Sequence, residues 1–148
     1  MEEKVILLVE DNQDDEVLTK RALYKTNIAN QIVVARDGLE AWDYLTNAGA
    51  FSDQKGSPIP QLVLLDLKLP KLDGLGLLKR IRGDERTRLM PVVILTSSTE
   101  EKDRIDSYGL GANSYVRKPV DYKQFLDAAV QLGLYWLVLN ESPPLRPD

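Results

Sequence analysis

Residues 5–15 read Val-Ile-Leu-Leu-Val-Glu-Asp-Asn-Gln-Asp-Asp, five unbroken apolar residues running into a polar, mostly acidic cluster. A half-solvated strand alternates apolar and polar residues, whereas a strand covered on both faces reads as a continuous apolar run. Parallel sheets sandwiched between helices are built from strands of this second kind. The rest of the chain repeats the pattern. Residues 32–35 (Ile-Val-Val-Ala) predict a second strand, residues 62–65 (Leu-Val-Leu-Leu) a third, residues 92–95 (Val-Val-Ile-Leu) a fourth, and Ser114-Tyr115-Val116 a short fifth. Between them, apolar residues recur at helical spacing: Val17, Leu18, Ala22 and Leu23; Leu39, Trp42 and Leu45; Leu75, Leu78 and Ile81; Ile105 and Tyr108. A fifth helix is predicted from Asp121 onward. Strands alternating with helices imply a parallel α/β sheet with helices on both faces. Right-handed crossovers leave few arrangements, among them the open doubly wound sheet of order 2-1-3-4-5.

The chain ends and loops are marked by composition. Asp14 and Asp15 are capping candidates for the first helix, Asp37-Gly38 turns the chain before the second, and Ser98-Thr99-Glu100-Glu101 has the form of a capping box for the fourth. Residues 48–60, with Gly49, Gly56, Pro58 and Pro60, predict a long loop. The main domain is expected over residues 1–140, followed by a proline-rich tail over 141–148 that frays at its end.

The 148 residues suit one domain. The chain contains neither cysteine nor histidine. Disulfides, thiolate and imidazole metal ligands, cysteine nucleophiles and a phosphohistidine donor are thereby excluded. Any phosphoryl chemistry must use carboxylates, hydroxyls or amines. A net charge of −4 argues against nucleic acid as a partner. The basic stretch Lys79, Arg80, Arg82, Arg86 and Arg88 is interrupted by Asp84 and Glu85 and reads as a solvated helix end. The acidic start Met1-Glu2-Glu3-Lys4 lacks the features of a secretory leader, and no apolar window reaches the length of a membrane span. A cytoplasmic protein is expected.

In an open α/β sheet, ligands sit beyond the carboxyl ends of the strands. At those positions stand Glu10 and Asp11, then Asp66, Thr96 and Lys118. Crowded carboxylates repel unless a cation lies between them or their pKa values rise. A hard divalent ion such as Mg2+ or Mn2+ takes oxygen ligands and offsets that repulsion. A carboxylate is a competent nucleophile toward phosphorus, a threonine hydroxyl can donate to a phosphoryl oxygen, and a lysine supplies positive charge. Singly, each of these residues reads as a turn, a cap or a surface group. Their joint placement at successive strand ends carries the functional reading.

The motifs Val9-Glu10-Asp11-Asn12, Leu64-Leu65-Asp66-Leu67-Lys68-Leu69-Pro70, Ile94-Leu95-Thr96-Ser97-Ser98 and Val116-Arg117-Lys118-Pro119 resemble the response-regulator receiver domain of two-component signalling. The resemblance implies the flavodoxin-like receiver fold with no output domain, and a phosphoacceptor switch, not an enzyme with an external turnover. It makes Asp66 the acceptor, with Thr96 and Lys118 assisting. Glu10, Asp11, Asp66 and the backbone carbonyl of Lys68 would hold Mg2+ or Mn2+. Thr96 and Tyr115 would form the switch pair, Lys118-Pro119 a cis peptide, and Asp73-Gly74 the turn beside the acceptor. A sensor histidine kinase is the implied partner. The long loop, Leu67-Lys68-Leu69-Pro70 and the Trp- and Leu-rich C-terminal segment resemble, more narrowly, response regulators paired with bacterial phytochromes.

Three other functions are weighed by the same residues. A phosphatase using an aspartyl phosphate needs an acid two residues after the nucleophile, where this chain has Lys68. A flavin carrier would cradle a phosphate in its first loop, which Glu10, Asp11, Asp14 and Asp15 would repel. A docking module without chemistry would lack an acceptor, lysine or acid pair, and all are present. The last helix carries two apolar stripes. One comprises Leu126, Ala129, Val130, Gly133, Leu134 and Leu137, expected on the sheet; the other comprises Phe125, Ala128, Leu132, Tyr135, Trp136 and Leu139, which packs under the long loop, is lost if the chain leaves the helix after Gly133, or, as expected here, buries itself in a homodimer or against a partner.

Overall fold

Every residue of the first apolar run is buried, from Val5 to Val9, with at most 2% exposure. Burial of a Val, Leu or Ile side chain contributes about 1.5–3 kcal/mol, so this strand is a principal part of the core. The computed structural model describes residues 4–25, 31–48 and 59–144. Its elements are β1 (Val5–Val9), α1 (Gln13–Lys25), β2 (Gln31–Ala35), α2 (Gly38–Thr46), β3 (Leu62–Leu65), α3 (Gly74–Gly83), β4 (Val92–Thr96), α4 (Glu101–Gly109), β5 (Ser114–Arg117) and α5 (Tyr122–Gly133). A π-helical extension, Leu134–Leu139, continues α5. The strands are parallel and stand in the order β2-β1-β3-β4-β5, as the sequence pattern allows. Residues 49–58, most of the predicted long loop, and the end of the tail lie outside the described residues. Ser142, at the head of the tail, accepts a hydrogen bond from Gln61 Nε2 at 3.1 Å.

The two-residue strand period divides the core into two layers. Leu7, Val9, Val63, Leu65, Val92 and Ile94 face α2 and α3, meeting Ala41, Tyr44, Leu77, Leu78 and Ile81. Ile6, Leu8, Leu62, Leu64 and Val93 face the other way, toward Leu23 of α1 and Trp136 and Leu137 of the π-helical extension. Among the described residues no helix is long and apolar enough to cross a membrane.

Several local expectations are corrected. Asn12, not Asp14 or Asp15, caps α1, its Oδ1 accepting from Asp15 N at 3.0 Å. Ser98 does not cap α4. Its hydroxyl donates to Asp103 Oδ2 at 2.6 Å while accepting from Glu100 N, a local turn that competes with a capping box. The Lys118–Pro119 peptide is trans; the trans preference before proline is only about 0.5–1 kcal/mol, so the dipeptide alone does not select the isomer. The two stripes of the last helix are not separate faces. Phe125, Ala129, Gly133, Trp136 and Leu137 are buried together, while Leu134, Tyr135, Val138 and Leu139 are exposed. At 3.6 residues per turn these five fall on one arc lying between the two predicted stripes, and a π-helical turn, closed by Asn140 N donating to Tyr135 O, ends the helix.

At the end of the sheet opposite the strand C-termini, Arg82 of α3 binds two connections at once. Its guanidinium donates to the carbonyls of Gly111, Arg88 and Met90 and to Asn113 Oδ1, at 2.7–3.0 Å. At the other end, Asp73 caps α3 through Gly76 N, and Gly74 lies against the backbone of Asp66 and Leu67. A Cβ on Gly74 would stand 2.6 Å from Leu67 Cα and overlap the Asp66 carbonyl. Gly74→Ala should therefore displace the segment after β3 and cost about 1–3 kcal/mol in urea unfolding, the usual range for overpacking. An unchanged unfolding midpoint would show that this close approach is not structurally required.

Candidate functional site

Parallel pairing fixes the backbone of each residue just past a strand end. Glu10 N donates to Ala35 O at 2.9 Å, Asp66 N to Val9 O at 3.1 Å and Lys118 N to Thr96 O at 2.7 Å. The ladder thus continues one step beyond the strands and presents Glu10, Asp66, Thr96 and Lys118 at one edge, all of them buried. Asp66 is the hub. Its Oδ2 accepts from Lys118 Nζ at 2.8 Å, and its Oδ1 accepts from the Thr96 hydroxyl at 2.9 Å. The Lys68 backbone N–H reaches Oδ1 at 3.4 Å.

Lys118 spends all three of its donors on carboxylates. They are Glu10 Oε1 at 2.6 Å, Asp15 Oδ2 at 2.8 Å and Asp66 Oδ2 at 2.8 Å. Glu10, Asp11 and Asp66 each offer a carboxylate oxygen within 4.8 Å of the others. With Asp15 included, four carboxylates face one ammonium, so the fully ionised cluster retains a charge of −3. An all-oxygen set with surplus negative charge suits a hard divalent cation, and these residues fit Mg2+ or Mn2+.

The surplus appears as displaced pKa values. Burial pushes the Glu10 carboxyl up to about 7, the Asp66 charge adds to it, and Lys118 offsets only part of the rise. Burial also pushes Asp66 up, but Lys118 and the Thr96 hydroxyl outweigh it and hold that carboxyl below its ordinary value. Burial opposes the Lys118 charge, and its carboxylate partners overcome this, raising the ammonium's pKa. Asp66 is therefore the carboxylate whose charge the site favours, and Glu10 the one whose charge it opposes.

The structure brings together Glu10, Asp11, Asp66, Thr96 and Lys118. Lys68 meets Asp66 through its backbone, and its side chain is exposed. Tyr115 is half-buried and joins indirectly: its hydroxyl donates to Ser98 O at 3.5 Å, and Ser98 N donates to Thr96 Oγ1 at 3.3 Å. Sequence reasoning missed Asp15, which reads as a solvated cap. The available signal was the i, i+3 capping relation of Asn12 to Asp15, which frees the Asp15 side chain from capping duty.

Comparison with known proteins agrees with this geometry. The family model of the response regulator receiver domain matches residues 6–130. The response regulator Rcp1 of Synechocystis is 39% identical over 90% of this chain and 89% of its own. The structure of its Mn2+-bound form superposes with a TM-score of 0.88, covering 95% of this chain and 99% of that one. The phosphorylated cyanobacterial phytochrome response regulator RcpA, 36% identical, superposes at 0.90 over 97% of this chain and 100% of its own. The bacteriophytochrome response regulator AtBRR is 52% identical, with a TM-score of 0.74 over 95% of this chain and 100% of its own.

The Glu10 shift has a consequence for stability without metal. Folded Glu10 holds its proton to about pH 7, while its ordinary value is 4.5. Between these values the folded state binds the extra proton, so stability is greatest at the acid end and falls as pH rises toward and past 7. The loss is on the order of 2–3 kcal/mol. Urea unfolding in EDTA at pH 5 and pH 8 should show this slope for the wild type and a flatter one for Glu10→Gln. Equal slopes would rule out Glu10 as its source.

Proposed function

The chain belongs to the response-regulator receiver family, and on that premise we propose that Asp66 accepts a phosphoryl group from a sensor histidine kinase in the presence of Mg2+ or Mn2+. Receiver domains of this family are signalling switches. The observation that carries the assignment is that Thr96 and Lys118 donate to the two oxygens of one ionised carboxylate, Asp66, beside the acidic set Glu10 and Asp11.

In the transfer, an Asp66 oxygen forms a bond to phosphorus as the phosphorus–nitrogen bond of the phosphohistidine breaks. The bonding pair leaves on the imidazole nitrogen. Thr96 and Lys118 then donate to phosphoryl oxygens instead of to the free carboxylate. Glu10, Asp11, Asp66 and the Lys68 carbonyl would hold the divalent ion. Once bound, it supplies the positive charge that lets a phosphoryl group approach these acids. Thr96 and Tyr115 are the switch pair: when the Thr96 hydroxyl turns to the phosphoryl group, its link to Ser98 N is given up, and Tyr115 is tied to that same Ser98.

The likeness to RcpA and AtBRR supports a phytochrome-type kinase as the donor. The solvent-facing Leu134, Tyr135, Val138 and Leu139 support a homodimer that covers this ridge. The burial of Trp136 and Leu137 in the π-helical extension supports a main domain over residues 1–140.

Incubation with acetyl phosphate and MgCl2, followed by intact mass measurement, should add one phosphoryl group to the wild type and none to Asp66→Asn. Thr96→Ala should slow the gain by about one to two orders of magnitude. Equal labelling of Asp66→Asn would remove the assignment. For the dimer, Leu139→Glu should shift sedimentation toward the monomer without changing phosphorylation; an unchanged sedimentation coefficient would exclude that ridge.

A further inference from the structure

Lys118 has three carboxylate partners, and they are not equivalent. Glu10 and Asp66 also belong to the acidic trio suited to a divalent cation, while Asp15 does not. Asp15 also arises from a different element, the first turn of α1, where the other two follow strands. Its side chain is 24% exposed, against 3% for Glu10 and 6% for Lys118, so it lies at the rim of the cluster. The backbone there is held firmly: Asp15 N donates to Asn12 Oδ1 at 3.0 Å, and Asp15 O accepts from the Thr19 hydroxyl at 2.8 Å.

We propose that Asp15 is a positioning residue that retains the Lys118 ammonium when a divalent cation draws on Glu10 and Asp66, so that both positive charges occupy one buried site. Two cations sharing the same carboxylates repel one another and weaken each other's binding. A buried ammonium deprived of Glu10 and Asp66 would also be left unpaired, which strongly opposes the exchange. Asp15 removes both difficulties, because it is a fixed anionic partner that the cation does not claim. Asp14, one residue earlier, carries the same charge on the same helical turn but is exposed. It is the natural control for charge alone.

This role rests on the metal reading of the site and is tested by binding, without phosphorylation. MnCl2 would be titrated calorimetrically into the wild type, Asp15→Asn, Asp15→Ser, Asp14→Asn, Lys118→Met and the Asp15→Asn/Lys118→Met double variant. Both Asp15 variants should raise the apparent Kd about 5- to 10-fold, and Asp14→Asn less than about 2-fold. With Lys118 replaced by Met, the Asp15→Asn effect should shrink below about 2-fold, because no ammonium remains to be held. Equal shifts from Asp14→Asn and Asp15→Asn would reduce Asp15 to a general charge and overturn the proposal. So would an Asp15→Asn effect that survives Lys118→Met. A wild-type protein that does not bind Mn2+ would overturn the metal reading itself and this role with it.

Discussion

One ammonium among four carboxylates sets the terms for this molecule. Lys118 is buried, as are Glu10 and Asp66, and a buried charge persists only where its partners compensate for lost water. Lys118 meets that condition completely, with three donors and three acceptors. The carboxylates do not, because their number exceeds the charge available to them. The imbalance falls unequally: Asp66, bonded through both oxygens, keeps its charge, while Glu10 is driven toward neutrality. A cluster of this composition is poised to take up positive charge, and it holds an ionised carboxylate where a phosphoryl group would arrive.

The sheet makes this arrangement possible at low conformational cost. Side chains that meet at Lys118 come from residues as far apart as 10 and 118, yet none depends on a flexible loop for its placement. Glu10 and Asp66 follow strands whose apolar runs are buried on both faces, Lys118 follows the half-buried β5, and Asp15 stands in the first turn of α1. Inter-strand hydrogen bonds reach one residue beyond the strand ends. Gly74 extends the same logic to the neighbouring turn, where the start of α3 approaches the Asp66 backbone closely enough to leave no room for a side chain.

Much of this is legible in the sequence because burial on two faces writes a continuous apolar run. The five strands, their order class and the five site residues all follow from those runs and from what stands after them. Other features are set by contacts that the sequence pattern does not encode. Asp15 looks like its neighbour Asp14, and only the three-dimensional course of β5 brings Lys118 to one and not the other. The Ser98 segment matches a capping box but folds as a local turn because Asp103 offers its hydroxyl a better acceptor. The stripe assignment on α5 fails because the buried arc lies between the two predicted stripes and takes residues from each, and apolar residues bordering it on both sides hide where its centre falls. Tyr115 reaches the site through Ser98, an indirect link that a motif cannot distinguish from direct contact.

The Arg82 clamp ties the molecule together at one end. By fastening the segments on either side of β4 and α4 at the pole remote from Asp66, it pins the C-terminal root of α4. That helix has little else to restrain it, since Ser107 is its one buried residue. At its near end it is fastened by the Ser98–Asp103 hydrogen bond, two residues from Thr96. The helix is thus tied at both of its ends, by the clamp at its root and, through Ser98, at the strand end that carries Thr96.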